Sequence, residues 1–333
     1  MELISYLTLI AAAFIAIFIN RKMPLLIYWF LFIGFLLIVR LSGFDTDVAK
    51  YAKWMVWDFK GFVYYREFLY FFVSRTLYGF FNSEIYAFWA MDVLWCVVVL
   101  YALKKIFDDN KDAYVCFAIL SLSFPVMMGF ENFYRQHMAT AFALLAYSFS
   151  SSGVVRSGFL SLASILFHNS AVLTTPTILG KKLLGFSAGV RALVIVLLVM
   201  FLFFVLLLFS SGGAGDFKKS NASTGLNLSM LYVALFFCIL IFSLFITRGS
   251  FKDSFEEFTP AYVGFFLVIL MASLFNDAPA ERVGQLFIVL SVPSILVGIR
   301  RVFKAGYGFF AACFMLFLAV PMLIFDNALQ FLL

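Results

Sequence analysis

Two arginines stand at the edges of long apolar runs, where an unpaired charge is costly. Arg135 lies in the stretch FENFYRQHMATAF, and Arg282 lies in the stretch ERVGQLF. A guanidinium group stays charged, and its rigid fork of N–H donors matches the oxygens of a phosphate. Two such groups acting together would suit a diphosphate at a lipid surface. The competing interpretation is pairing, of Arg135 with Glu131 one helical turn earlier and of Arg282 with Glu281.

Several other groups could move a proton or bind a polar substrate. His168 has an unperturbed pKa of about 6.5, which suits a base at neutral pH, although it could equally be a buried structural histidine. A carboxylate could serve as the base instead, or could orient the substrate. His137 is interpreted as an interfacial residue, and Asp92 either pairs within the bundle or lines a polar cavity. The candidate binding residues are Asp45, Asp47, Glu67 and Glu131, to which the resemblance to a known family given below adds Gln136 and Tyr51.

The composition requires these residues to be held by membrane helices. Of 333 residues, 64% are hydrophobic and 13% charged, and the mean hydropathy is +1.03. Runs of about 20 apolar residues recur, and each can cross a hydrocarbon core of about 30 Å. Because lipid cannot satisfy backbone polar groups, the spans must be helices. We therefore predict an all-α, polytopic integral membrane protein, in which residues 1–333 form a single transmembrane domain. The roughly ten predicted spans are 3–19, 24–41, 84–103, 113–130, 137–152, 190–209, 229–247, 260–275, 283–299 and 307–325.

Three other segments shape the predicted outer side of this bundle. The aromatic stretch 62–81, inside the outer segment 43–82, is too charged to span and is expected to lie in the interface as a helix. Residues 157–180 either cross once or form a broken helix that enters from the cytoplasm, turns at His168 and returns. The return places most of the later basic residues in the cytoplasm, so the positive-inside rule favours it. Residues 210–227, rich in Gly and Ser, are predicted to form an outer loop.

Prolines and charges complete the prediction from composition. Pro125 and Pro293 fall inside predicted spans and are expected to kink them. The net charge of +6 comes from basic residues at span ends, which indicates an orientation signal and no nucleic-acid partner. The cysteines are widely separated, without disulfide or metal-binding spacing, so no metal and no other cofactor is predicted. The lipid bilayer is the partner that composition implies.

The polar motifs resemble those of the EpsG-like family of Wzy-type polymerases, which build bacterial O-antigen, capsule or exopolysaccharide. FYRQHMATAFALLAYSF followed by FLSLASILFHNSAVLTTP is similar to the family's RQ-x-x-A and FH-x-S-A core. GFDTDVAKY looks like the family's motif in which an Asp precedes a Tyr, and YREFLYFF places Glu67 at an acidic position of the family. ERVGQLF resembles the family's arginine before a late span. These matches occur in the family's order along the chain.

The resemblance implies a polymerase in the bacterial cytoplasmic (inner) membrane, with its active site facing the periplasm. Its architecture would be similar to that of C-type membrane glycosyltransferases. Such enzymes transfer a growing glycan from undecaprenyl diphosphate to the non-reducing end of an undecaprenyl-diphosphate-linked repeat unit. For that reaction Arg135 and Arg282 would stabilise charge growing on the leaving diphosphate, and His168 would act as the base. A single displacement would invert the anomeric centre. The family also implies a chain-length-determining co-polymerase as a partner.

Two other functions fit the same polar groups. A flippase or transporter of lipid-linked oligosaccharide would also contain broken helices and buried charges. The chain has no related halves, however, and its charges favour one face, which suits an enzyme better. An O-antigen ligase uses the same kind of donor, but ligases typically carry a large outer loop late in the chain, and the late loops here are short.

Overall fold

The computed structural model is helical throughout the part of the chain that it describes. That part comprises residues 2–44, 46–56, 67–151, 153–180, 187, 189–190, 193–198, 200, 228–274, 277–325, 329 and 332. Every regular element within these residues is an α-helix or a short 3-10 helix. The predicted loop 210–227, most of the predicted span 190–209 and the start of the aromatic stretch lie outside the described residues.

The α-helices of the described residues are numbered in chain order. The earlier helices are α1 (Glu2–Ile19), α2 (Lys22–Ser42), α3 (Thr46–Val56), α4 (Phe68–Phe81), α5 (Glu84–Ile106), α6 (Asn110–Leu122), α7 (Phe124–Glu131) and α8 (Tyr134–Ser148). The later helices are α9 (Val154–Phe167), α10 (Thr175–Gly180), α11 (Leu228–Ile246), α12 (Phe251–Glu257), α13 (Thr259–Leu274), α14 (Asp277–Val302), α15 (Tyr307–Ala319) and α16 (Pro321–Ile324). Short 3-10 helices over Asn169–Thr174 and Lys304–Gly306 precede α10 and α15.

Six stretches of the described chain are long and apolar enough to cross a membrane, or up to eight if each of two bent helix pairs is one span. The chain is therefore a helical membrane protein, but the predicted count of about ten spans is not confirmed. The six stretches are Glu2–Ile19, Lys22–Ser42, Glu84–Ile106, Ser229–Ile246, Pro279–Val302 and Lys304–Ile324. The predicted span 137–152 is not among them, because α8 has only 15 residues. At 1.5 Å per residue such a helix extends about 22 Å, less than a hydrocarbon core.

A bend of 60° separates α6 from α7 inside the predicted span 113–130. Ser123 is extended at this point, and its hydroxyl donates to the Leu120 carbonyl at 2.7 Å. Pro125 lies in the first turn of α7, where its missing N–H interrupts no helical hydrogen bond. The kink predicted at Pro125 is confirmed, whereas Pro293 lies inside the continuous helix α14.

Polar contacts distinguish the two ends of the bundle. At one end, Arg301 of α14 donates to both carboxylate oxygens of Glu257, at 2.9 and 3.0 Å. The beginning of α14 lies at the other end against the beginning of α8, since the Gln136 side chain donates to the Arg282 carbonyl at 2.6 Å. This second end, which also holds Glu67, is called the site end below.

Two glycines let ring side chains pack directly against helix backbones. A Cβ added at Gly284 of α14 would lie 2.4 Å from the Tyr232 ring, and one at Gly129 of α7 would lie 2.4 Å from His137 Nδ1. Small residues commonly allow such close contacts in membrane bundles. His137 is only 4% exposed, and its ring stacks on Trp95 with 4.5 Å between centroids. The interpretation of His137 as interfacial is therefore wrong, because the missing Gly129 side chain makes room for it in the core.

Candidate functional site

A break between two helices sets the directions of three consecutive side chains at the site end. α7 ends at Glu131 and α8 begins at Tyr134. Successive residues of a helix point about 100° apart, so the first turn of α8 faces three neighbours at once. Tyr134 reaches α5, Arg135 reaches the segment before α4, and Gln136 reaches α14. The position of this break therefore decides which groups meet.

Arg135 forms an ion pair with Glu67, the residue that precedes α4. Its Nη1 donates to Glu67 Oε2, across 68 residues of sequence. The Glu67 side chain is fully buried, and the Arg135 side chain is 17% exposed. A carboxylate in such a place needs a cationic or hydrogen-bonding partner, because burying an isolated charge is costly. Two residues predicted for the site, one catalytic and one binding, are thus brought together.

His168 faces the same carboxylate from a break in its own helix. α9 ends at Phe167, and His168 is extended before the 3-10 helix begins. The Ser170 amide donates to His168 Nδ1 at 3.2 Å, and the Ser170 hydroxyl lies 2.8 Å from the same nitrogen. A neutral imidazole that accepts at Nδ1 carries its proton on Nε2. His168 Nε2 lies 3.5 Å from Glu67 Oε1, so the ring directs an N–H toward Glu67. The return of the chain after this break stays a prediction.

Aromatic rings of α3 cover the guanidinium of Arg135, and a ring of α4 packs against them. Its Cζ lies 4.8 Å from the Tyr51 ring centroid and 5.9 Å from the Trp54 ring centroid, within the distance at which rings attract a cation. Tyr70 packs edge-on against Tyr51, with 5.8 Å between centroids. Burial raises the pKa of the Tyr70 hydroxyl well above its ordinary value, so this side chain stays neutral.

Arg282 lies beyond Gln136 and differs from Arg135 in its electrostatic surroundings. Its guanidinium covers the Phe133 ring, with 5.0 Å from Cζ to the centroid. Its Nε is buried and has no hydrogen-bond partner within the described residues. Over the same residues no carboxylate forms an ion pair with Arg282, so the pairing with Glu281 considered from the sequence is not found. Arg282 is thus a cation without a counter-charge in the described part of the chain.

Two cavities lie next to each other beside α7. A small cavity of about 10 Å³ is lined by the polar side chains of Gln136, His137, Thr140 and Gln285 together with apolar neighbours. An apolar cavity of about 490 Å³ lies between α7, α11, α14 and α15, and Pro125 borders both cavities. No group of three or more His, Cys, Asp and Glu side chains that could hold a metal ion occurs among the described residues.

A second buried ion pair lies behind the first, and the sequence analysis missed its arginine. Arg40 of α2 donates from Nε to Asp92 Oδ2 at 2.7 Å and from Nη2 to Asp92 Oδ1 at 3.1 Å. Both side chains are fully buried. Of the two interpretations of Asp92, pairing within the bundle is correct. Arg40 stands near the end of a span, where an arginine ordinarily extends to the interface. The signal that could have found it was Asp92 itself, an opposite charge inside another span.

The remaining predicted binding residues are described to different extents. Glu131 ends α7 and is buried, with 5% of its surface exposed. Asp47 belongs to α3, but its side chain lies outside the described residues, as does the whole of Asp45. The Tyr51 ring lies against the Arg135 guanidinium, and the Gln136 side chain contacts the Arg282 carbonyl.

Comparison with known proteins identifies no relative. No family model, no curated protein and no solved structure matches the chain. The fold and the site therefore define a class only: a helical membrane protein that gathers at one end buried ion pairs and an arginine with no counter-charge among the described residues. The resemblance to EpsG-like polymerases stays a prediction.

Proposed function

We propose that this protein is a glycosyltransferase that polymerises lipid-linked repeat units of a bacterial surface polysaccharide at the periplasmic face of the inner membrane. The growing glycan passes from undecaprenyl diphosphate to the non-reducing end of the next lipid-linked repeat unit. The anomeric C–O bond to the donor diphosphate breaks, and a glycosidic bond to the acceptor hydroxyl forms. The hydroxyl proton passes to a base, and undecaprenyl diphosphate leaves.

The observation that carries the proposal is the Arg282 guanidinium, which has no counter-charge among the described residues. A cation at the membrane boundary without a carboxylate is costly to keep, and a bound anion offsets that cost. The Gln136 side chain donates to the Arg282 carbonyl. This hydrogen bond connects the beginning of α14 to the first turn of α8, which contains Arg135. In this proposal the guanidinium groups of Arg282 and Arg135 bind the diphosphate and stabilise the charge that grows on its bridging oxygen in the transition state.

Glu67 and His168 supply the proton transfer in this proposal. The sequence alone favoured His168 as the base and kept Asp45, Asp47 and Glu67 as alternatives. His168 accepts a backbone N–H at Nδ1 and directs Nε2 toward Glu67, which supports Glu67 as the acceptor of the hydroxyl proton. His168 then orients the carboxylate, and the Arg135 guanidinium stabilises its ionised form.

The large apolar cavity supports a lipid-linked substrate. Its lining is formed by aliphatic and aromatic side chains of α7, α11, α14 and α15. Pro125 borders both this cavity and the small polar cavity, and Gln136 lines the small one. An isoprenoid chain in the apolar cavity would leave its diphosphate near the start of α14, where Arg282 lies.

Complementation of a strain deleted for this gene tests the proposal. The wild-type protein should restore a long-chain polysaccharide ladder on a gel. Arg282→Gln, present at wild-type level in the membrane, should leave surface glycan of a single repeat unit. Arg301→Gln is the matched control, because it removes an arginine from the other end of the same helix. The control should make a normal ladder.

Three outcomes contradict parts of this proposal. A deletion strain that displays no surface repeat unit at all would favour a flippase or a ligase over a polymerase. A normal ladder from Arg282→Gln would remove Arg282 from the site. A ladder lost equally with Arg301→Gln would mean that any arginine loss from α14 disturbs the protein.

A further inference from the structure

One buried polar network holds both sides of the break between α7 and α8. Arg40 Nη2 donates to the Phe130 carbonyl at 3.0 Å while the same guanidinium binds Asp92. The Tyr134 hydroxyl donates to Asp92 Oδ1 at 2.7 Å. Phe130 lies in the last turn of α7, and Tyr134 is the first residue of α8. A single guanidinium–carboxylate pair thus reaches across the break.

Each contact satisfies a group that the break leaves without a helical partner. Carbonyls in the last turn of a helix have no intrahelical donor, and a guanidinium at a helix C-terminus is electrostatically favourable. Arg40 supplies both a hydrogen-bond donor and a positive charge to the Phe130 carbonyl. Tyr134 is fully buried, so its hydroxyl needs an acceptor, which Asp92 provides. The network therefore fixes where α7 ends and in which direction α8 starts.

The network influences Arg135 through the backbone and through aromatic rings that lie between them, and not by direct contact. Tyr134 precedes Arg135, so a rotation of the first turn of α8 would move the guanidinium away from Glu67. The Tyr134 ring also packs edge-on against Tyr70, with 6.3 Å between centroids, and Tyr70 packs on Tyr51 beside Arg135. The backbone and the aromatic rings thus couple the network to Arg135 by two routes.

We propose that Arg40, Asp92 and Tyr134 are positioning residues. They hold the first turn of α8 so that Arg135 meets Glu67 and Gln136 meets the start of α14. The consequence for reaction rate rests on the proposed function. The consequence for the Arg135–Glu67 contact does not, so the two can be tested separately.

The first experiment measures how strongly Glu67 is coupled to the network. Tyr134→Phe removes only the hydroxyl, and Tyr28→Phe is its matched control. Tyr28 is equally buried, with its hydroxyl 2.7 Å from Ser121 Oγ in a contact between α2 and α6. The drop in thermal midpoint caused by Glu67→Gln is measured in detergent in each background and in the wild type. We expect the drop to shrink by about half or more with Tyr134→Phe and to persist with Tyr28→Phe. Equal drops in all backgrounds would overturn the proposal.

The second experiment separates binding from turnover. The purified protein is supplied with lipid-linked repeat units extracted from the deletion strain. Tyr134→Phe should lower kcat roughly 10- to 100-fold with KM changed less than about threefold, as expected for misplacement of a catalytic group. Tyr28→Phe should leave both constants near wild type. Asp92→Asn, which keeps the shape of the side chain, repeats the test if Tyr134→Phe does not fold.

The outcomes distinguish the inference from the function on which it rests. If the wild-type protein forms no polymer, the proposed function fails, and the coupling experiment alone decides whether the network positions Arg135. If polymer forms and kcat is unchanged in both Tyr134→Phe and Asp92→Asn, the positioning role is wrong.

Discussion

Replacing either arginine of the site should strongly slow polymer formation, but only one replacement should strongly destabilise the protein. Arg135→Gln leaves the fully buried Glu67 without its guanidinium. Removing one partner of a buried pair costs about 3–5 kcal/mol, because the remaining charge is uncompensated. Arg282→Gln breaks no ion pair among the described residues and removes a partly exposed side chain. Such a change usually alters the free energy of unfolding by about 0.5 kcal/mol or less.

These free energies correspond to separable shifts of the thermal midpoint. In a chain of this size each kcal/mol shifts the midpoint by roughly 2 °C, so Arg135→Gln should lower it by roughly 5 to 10 °C and Arg282→Gln by roughly 1 °C. Activity should not follow the same order. Losing one preorganised cation at the leaving oxygen costs about 3 kcal/mol of transition-state stabilisation, which is on the order of a hundredfold in rate. Arg282→Gln should therefore be stable but slower by on the order of a hundredfold.

The assay pairs a thermal melt in detergent with the initial rate of polymer formation for each variant. The double variant Arg135→Gln with Glu67→Gln is the control, because it removes both charges and leaves two amides that can still hydrogen-bond. Its midpoint should recover most of the loss, while its activity stays absent. A midpoint for Arg135→Gln equal to that of Arg282→Gln would refute the reasoning, since Glu67 would then not depend on Arg135.

Two further predictions test His168 and the packing of α14. His168→Gln should lower the rate of polymer formation less than about tenfold, because the glutamine amide can still donate to Glu67. Loss of the base itself would lower the rate roughly 10²- to 10⁴-fold. A loss in that larger range, measured with the same lipid-linked repeat units, would mean that His168 is the base. Gly284→Ala should lower the thermal midpoint by several degrees, because the added Cβ would lie 2.4 Å from the Tyr232 ring and overpacking costs about 1–3 kcal/mol. Adding Tyr232→Ala, which removes the ring atoms that the new Cβ would meet, should recover part of that loss, and purely additive losses would show that the clash is not the cause.

The helices could be predicted from the sequence because the bilayer leaves the chain few alternatives. Long apolar runs such as 3–19 and 229–247 correspond closely to α1 and α11. The bend at Pro125 could be predicted because a proline cannot continue a preceding helix and is accommodated in the first turn of a new one. The predicted span 137–152 failed for a physical reason as well: the break before Tyr134 and the end of α8 at Ser148 leave a helix that is too short to cross.

Which residues form the site could be predicted from the sequence better than which of them contact one another. Arg135, Glu67 and His168 were recognised as candidates because each is a polar group beside apolar sequence, and the structure brings them together. Which groups pair depends on how each helix is rotated about its axis, and a single sequence carries little information about that rotation. His137 shows the same limit, since the room that it occupies is created by Gly129 on another helix.

The location of the buried pairs argues that they serve geometry more than stability. Arg301 and Glu257, at the opposite end of the bundle, are 47% and 35% exposed, and such a surface pair contributes about 0–1 kcal/mol. Arg40 and Asp92 are completely buried, so their attraction must offset the loss of hydration of two charges. Replacing a buried pair of this kind by apolar side chains is often neutral or stabilising, so stability alone does not explain it. What apolar side chains could not do is donate to the Phe130 carbonyl and accept from the Tyr134 hydroxyl across a helix break. The pair is therefore best explained by the direction that it gives to the first turn of α8.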